Sequence, residues 1–151
     1  MLDLSAFIAA LPERGALMGI DPGSKRIGIA VSDPARALAT PIDTINRTRF
    51  AADAEAILKL FDSRACIAFV VGLPLNMDGS SGPSAQAARA FARNLLTVRE
   101  APLLMWDERL STAAVTRDLI ETDTSRARRA EIVDQMAASY VLQGVLDRLR
   151  V

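Results

Sequence analysis

No histidine occurs anywhere in the 151 residues. Ser-His-Asp and Cys-His triads are excluded with it, so the candidate catalysts are carboxylates, Lys25, Tyr140, hydroxyls and bound metal. A single cysteine, Cys66, stands in the apolar stretch "ACIAFVVGLP". A disulfide framework and a cysteine-ligated zinc are therefore excluded, and the thiol reads as a small hydrophobe. No apolar run approaches the roughly 18 to 20 residues of a membrane span, and the start "MLDLSAFIAALPERG" lacks a basic leader, so the expectation is a cytoplasmic protein without a membrane partner. Lysine is nearly missing: Lys25 and Lys59 are the only two. The other basic residues are arginines, which suit bidentate phosphate contact. Net charge is zero, so no global field draws the chain to nucleic acid, and local clusters must supply any such attraction.

What is present is apolar enough, at 50%, to bury a core within one domain. The expected organisation is a short N-terminal helical extension over 1–14, stopped at Pro12, followed by a single domain over 15–151. "ALMGID" reads as a strand, "PGSK" as a turn, and "RIGIAVSD" as a second strand completing a hairpin. "ALATPIDTI" adds a third. Helical spacing over 50–62 precedes "CIAFVVGL", a continuous apolar run of the kind buried on both faces of a sheet. The Gly/Ser/Pro loop "PLNMDGSSGPS" leads into the helical "AQAARAFARNLL", with Pro83 near its first turn. "APLLMWDER" is another buried strand. The spacing then predicts a helix over 111–121 capped by Ser111, a polar loop over 122–129 and a long final helix over 130–149. The order describes an α/β fold: an antiparallel meander extended by parallel crossovers.

Three acids from distant segments invite a common reading. Asp21 closes the first strand, Asp107 and Glu108 close "PLLMWDE", and Asp134 sits early in the final helix. Hard-cation ligands often come from distant segments gathered at one end of a sheet. Strand alternation sends Asp107 and Glu108 to opposite faces, so one of them can join Asp21, and periodicity does not choose between them. Asp134 borders an apolar stripe of Ala138, Val141, Leu142 and Val145. The small residues Ala137 and Ala138 let that helix approach the sheet. The bland reading of Asp134 alone is an acid favoured by the helix dipole. For the three together, with no histidine to compete, a metal site is the stronger reading.

Cations accompany each acid in sequence. Lys25 and Arg26 lie in the turn after Asp21, Arg109 follows Glu108, and Arg126, Arg128 and Arg129 precede Asp134. Isolated surface salt bridges would be worth little; the functional reading is a rim that contacts phosphates around a metal centre. The loop over 79–84, with Asn76 beside it, could present amides and a helix N-terminus to a phosphate, although it is neither a Walker A loop nor GxGxxG.

"GIDPGSKRIGIAVSD", "VVGLPLNMDGSSG", "WDERLSTAAV" and "IVDQMAASYVLQ", in this order and spacing, resemble the four signature blocks of the YqgF family, also called RuvX. The resemblance runs from Gly19 to Gln143. It implies a ribonuclease H-like fold, a five-stranded mixed sheet flanked by helices, and it selects Glu108 over Asp107. Asp21, Glu108 and Asp134 are then the implied catalytic and metal-binding residues, with Mg²⁺ or Mn²⁺ as cofactor. The sequence departs from the more distant RuvC resolvases at two points: the fourth strand ends "VGLP" without an acid, and Ala137 stands where they carry a second helix acid. The family's lysine-rich block before the helix acid is "RARR" here, which keeps the charge.

The function expected is metal-dependent hydrolysis of phosphodiester bonds in structured RNA, in maturation of the 5′ end of pre-16S ribosomal RNA. Lys25, Arg26, Asn76, Arg109, Arg128 and Arg129 are the expected nucleic-acid contacts of a monomer or weak homodimer. The alternatives are a resolvase of branched DNA and a non-catalytic nucleic-acid-binding factor in transcription or ribosome assembly. An actin-like ATPase would need two such domains, and the chain has room for one.

Overall fold

The computed structural model describes residues 1–110 and 126–150, with the backbone alone for 126–132. The expected helix over 111–121 and its Ser111 cap lie outside the described residues. Strands β1 (Ala16–Pro22), β2 (Arg26–Ser32) and β3 (Ala39–Asn46) form the meander. β4 (Cys66–Leu73) and β5 (Leu103–Asp107) add to the other edge, giving the order β3-β2-β1-β4-β5. β1 pairs antiparallel with β2 and parallel with β4, and β4 pairs parallel with β5. The expected five-stranded mixed sheet is the sheet found.

Central strands read as unbroken apolar runs because both of their faces are covered. On one face Met18, Ile20, Ile29, Phe69 and Val71 pack against α2 (Phe50–Ser63) and α3 (Pro83–Val98), through Ile57, Phe61, Phe91 and Leu95. On the other, Leu17, Ala68, Val70 and Leu104 meet Ala138, Val141, Leu142 and Val145 of α4 (Arg126–Leu149). Phe7 of α1 (Leu4–Ala10) is fully buried in this second layer. α1 is capped by the Asp3 carboxylate, which accepts from the Ala6 amide at 2.8 Å. α3 starts with Pro83 after Gly82, where a missing N–H costs nothing. Cys66 is buried as expected, and burial pushes its thiol up to about 11.

The final helix differs from its expected start. The four residues Arg126–Arg129, expected in the loop, are its first turn; Arg and Ala are strong helix formers, and polarity alone mistook them for loop. Asp134 is therefore well past that turn. This removes the helix-dipole account of its position, since the dipole acts within the first turn.

α4 runs across β1, β2 and β3 at close range. The alanines share this task with glycines on the sheet. A Cβ built on Gly19 would stand 2.7 Å from Leu142 Cβ and 2.9 Å from the Ala138 carbonyl oxygen, and one on Gly28 would overlap the Asp134 carbonyl. The Gln143 side chain completes the seam: its Oε1 accepts from the Ala39 amide at 2.8 Å, at the start of β3.

Candidate active site

Asp21 lies on the α4 face of β1, in the alternation that also sends Leu17 and Gly19 there. It is only 6% exposed. Its cross-strand partner is Gly28. Because Gly28 lacks a side chain, the backbone of Asp134 can sit directly above it, and this contact brings the helix acid over the strand acid.

Glu108 begins the short 3-10 turn Glu108–Leu110 after β5. Its side chain lies over Gly72 of β4, where a built Cβ would stand 2.9 Å from Oε1 and 3.3 Å from Val141 of α4. It thus points to the same face as Asp21. Asp107 joins Arg109 in an ion pair at 2.7 Å. That guanidinium holds the Asp107 carboxyl below its ordinary range. Glu108 thus shares with Asp21 the face that α4 covers, and Asp107 does not line the cavity they share.

Asp21, Glu108 and Asp134 line one cavity of about 330 Å³. Its remaining wall carries Lys25, Arg26 and Arg47, the turn residues Pro22 to Ser24, and Ser84 and Ala87 of α3. Among the described residues three carboxylates therefore face three cations. Arg26 Nε donates to Asp134 Oδ2 at 2.8 Å, with the two side chains 31% and 17% exposed. Among the described residues no three acidic, histidine or cysteine side chains stand, as placed, where they could hold one metal ion. The donor set suits a hard cation: all three ligands would be carboxylates. Asp134 would exchange Arg26 for it.

Other expected contacts lie elsewhere. Arg109 donates to Asp107 and, through Nη1, to the Met77 carbonyl at 3.2 Å, which ties the 74–82 loop to the end of β5. Asn76 donates to Ser80 Oγ at 3.0 Å inside that loop. Asp78 accepts from the Ser80 amide and hydroxyl, and the hydroxyl bond above all lowers its carboxyl. None of Asn76, Asp78 and Arg109 lines the cavity. The Arg128 and Arg129 backbones lie in the first turn of α4, and their side chains are outside the described residues.

Sequence reading missed Arg47 and Ser84. The signal for Arg47 was register: Arg26 pairs with Asn46, so the residue after β3 must stand beside the β1–β2 turn.

The family model described as "RuvX: Holliday junction resolvase" matches residues 15–148. A protein of Paracoccus denitrificans (strain Pd 1222), named "Putative pre-16S rRNA nuclease", is 57% identical over 148 residues, covering 98% of this chain and 94% of that protein. One of the same name from Rhodopseudomonas palustris (strain BisB5) is 59% identical over 149 residues, covering 99% and 93%. Among solved structures, T. thermophilus RuvC in complex with Holliday junction substrate has a TM-score of 0.58 at 12% identity, covering 91% of this chain and 97% of that one. At that identity the likeness speaks to fold, which is the ribonuclease H-like fold the sequence resemblance implied.

Proposed function

The chain belongs to the RuvX family, and from that premise we propose that it is a nuclease that hydrolyses phosphodiester bonds in structured RNA, acting in 5′ maturation of pre-16S ribosomal RNA. The observation that carries the reading is convergence: β1, the end of β5 and α4 each deliver one carboxylate to a single cavity whose other wall is cationic. The relatives named for this RNA match nearly the whole chain.

Charge explains why such a site would need a divalent cation. Among the described residues the cavity presents three acids and three cations. A phosphate drawn to the cationic wall would still face three carboxylates on the other side. Mg²⁺ or Mn²⁺ held by Asp21, Glu108 and Asp134 would supply Lewis-acid charge for the phosphoryl centre and activate water at neutral pH. No histidine base is then required. Arg26, on leaving Asp134, would contact a phosphate, and Lys25, the residue before it, lies on the same wall. Phosphoryl transfer relies chiefly on positioning and on electrostatic stabilisation of this kind.

The experiment is cleavage of a labelled pre-16S ribosomal RNA fragment and a four-way DNA junction, each with Mg²⁺, Mn²⁺ or EDTA, by the wild type and Asp21→Asn. RNA cutting that needs metal and is lost in Asp21→Asn supports the reading. Cutting of the junction alone replaces it with the resolvase. Metal-independent RNA binding with no cutting of either substrate replaces it with the non-catalytic binding factor.

A further inference from the structure

Arg47 is held from three sides. Its amide donates to the Lys25 carbonyl at 2.9 Å, and its Nη1 donates to the Gly23 carbonyl at 2.7 Å. Its Cζ stands 5.5 Å from the ring centroid of Phe91 on α3. Phe91 is itself fixed edge-to-face against Phe50 at the start of α2, with centroids 5.9 Å apart. The residue thus braces the 22–25 turn against the helix layer.

This brace does not use up the guanidinium. An arginine head carries five N–H donors, and among the described residues one side-chain bond, to Gly23, is formed. Arg26, Arg99 and Arg109 are each matched with an aspartate, whereas Arg47 makes no ion pair among the described residues although it lines the same cavity as three carboxylates. A half-buried, pre-oriented guanidinium with spare donors and no carboxylate partner among the described residues is suited to receive an anion.

We infer that Arg47 binds a backbone phosphate of the nucleic acid in this cavity, while its bond to Gly23 holds the turn after Asp21 in place. The inference rests on the nuclease reading for the nature of the anion. Arg47 contributes on the binding side, apart from the acids that would carry the chemistry. Its cation–π contact and its Gly23 bond reduce the freedom the side chain would lose on meeting a phosphate.

The test is anisotropy binding of a fluorescein-labelled RNA hairpin with a single-stranded 5′ arm, in the Asp21→Asn background, across a series of KCl concentrations. Arg47→Met keeps the aliphatic contact with α3 and removes the donors. It should weaken binding about tenfold at low salt, as for one charge-assisted hydrogen bond. It should also lower the slope of log affinity against log salt by roughly 0.7 to 0.9, the loss of one phosphate contact. Arg47→Lys should restore the slope with intermediate affinity. An unchanged slope in Arg47→Met overturns the inference even if affinity falls, because bracing alone moves no counterions. If Arg47→Met does not fold, as judged by its thermal transition, Arg47→Gln decides: a salt slope equal to that with arginine overturns the inference. Failure of the nuclease reading is seen separately, as no metal-dependent RNA cleavage by the wild type beside an intact Arg47 salt effect.

Discussion

Replacing Arg26 with methionine should tighten divalent-cation binding while impairing RNA cleavage. The Arg26–Asp134 pair has N···O at 2.8 Å. Coulomb attraction at that distance is about 1.5 kcal/mol in a water-like dielectric and about 6 kcal/mol at an effective dielectric near 20. Desolvation of two partly covered groups and the ordering of a long side chain offset most of it, leaving a net value of about 1 kcal/mol, between surface and buried pairs. If Asp134 must release Arg26 to hold the cation, that energy is subtracted from metal binding. Its removal should then improve Mn²⁺ affinity about fivefold, the factor that corresponds to about 1 kcal/mol. Calorimetric titration of the wild type and Arg26→Met with Mn²⁺ measures this directly. Unchanged or weaker affinity in the variant would refute the exchange of Arg26 for metal. Cleavage that rises along with metal affinity would instead show that Arg26 contributes nothing on the phosphate side.

Two further perturbations probe the frame around the site. Gly28→Ala should cost about 3 kcal/mol or more, because its methyl overlaps the Asp134 carbonyl and lifts α4 from β2; a urea midpoint equal to the wild type's would show that the helix is not closely seated. Asp107→Asn should lower stability modestly, by up to about 1 kcal/mol for a partly exposed pair. Because Arg109 lowers the Asp107 carboxyl in the folded state, that contribution is present above the unfolded carboxylate value near pH 4 and is lost as pH falls through the lowered folded value. Urea midpoints of the wild type and Asp107→Asn should therefore differ at neutral pH and converge in strong acid; a constant difference would exclude the ion pair as its origin.

The contrast between Asp107 and Glu108 shows how far a sequence reaches. Strand period two follows from the pleat and is local, so it separates the neighbours onto opposite faces without help from the rest of the chain. Which face holds the site depends on where a helix that begins at Arg126 comes to lie, and that is a packing outcome. The layering of α4 puts Glu108 on the face of Asp21, and Arg109 takes up Asp107. Arg109 shows the converse. Adjacency to Glu108 suggested a phosphate contact, yet the 3-10 turn after β5 brings it to Asp107 and the Met77 carbonyl instead.

By itself the sequence determined the alternation of strands and helices, the composition of the sheet and the short list of acids, because apolar periodicity, turn chemistry and the absence of histidine are properties of the chain alone. The tertiary structure decided which acids share a cavity and which cations face them. Gly28 and Gly19 admit α4 close to the sheet, the β2–β3 register sets Arg47 beside the β1–β2 turn, and Arg26 reaches Asp134 across more than a hundred residues. These are contacts between segments whose separation in sequence carries no distance information, and only the packing of helix on sheet turns them into a site.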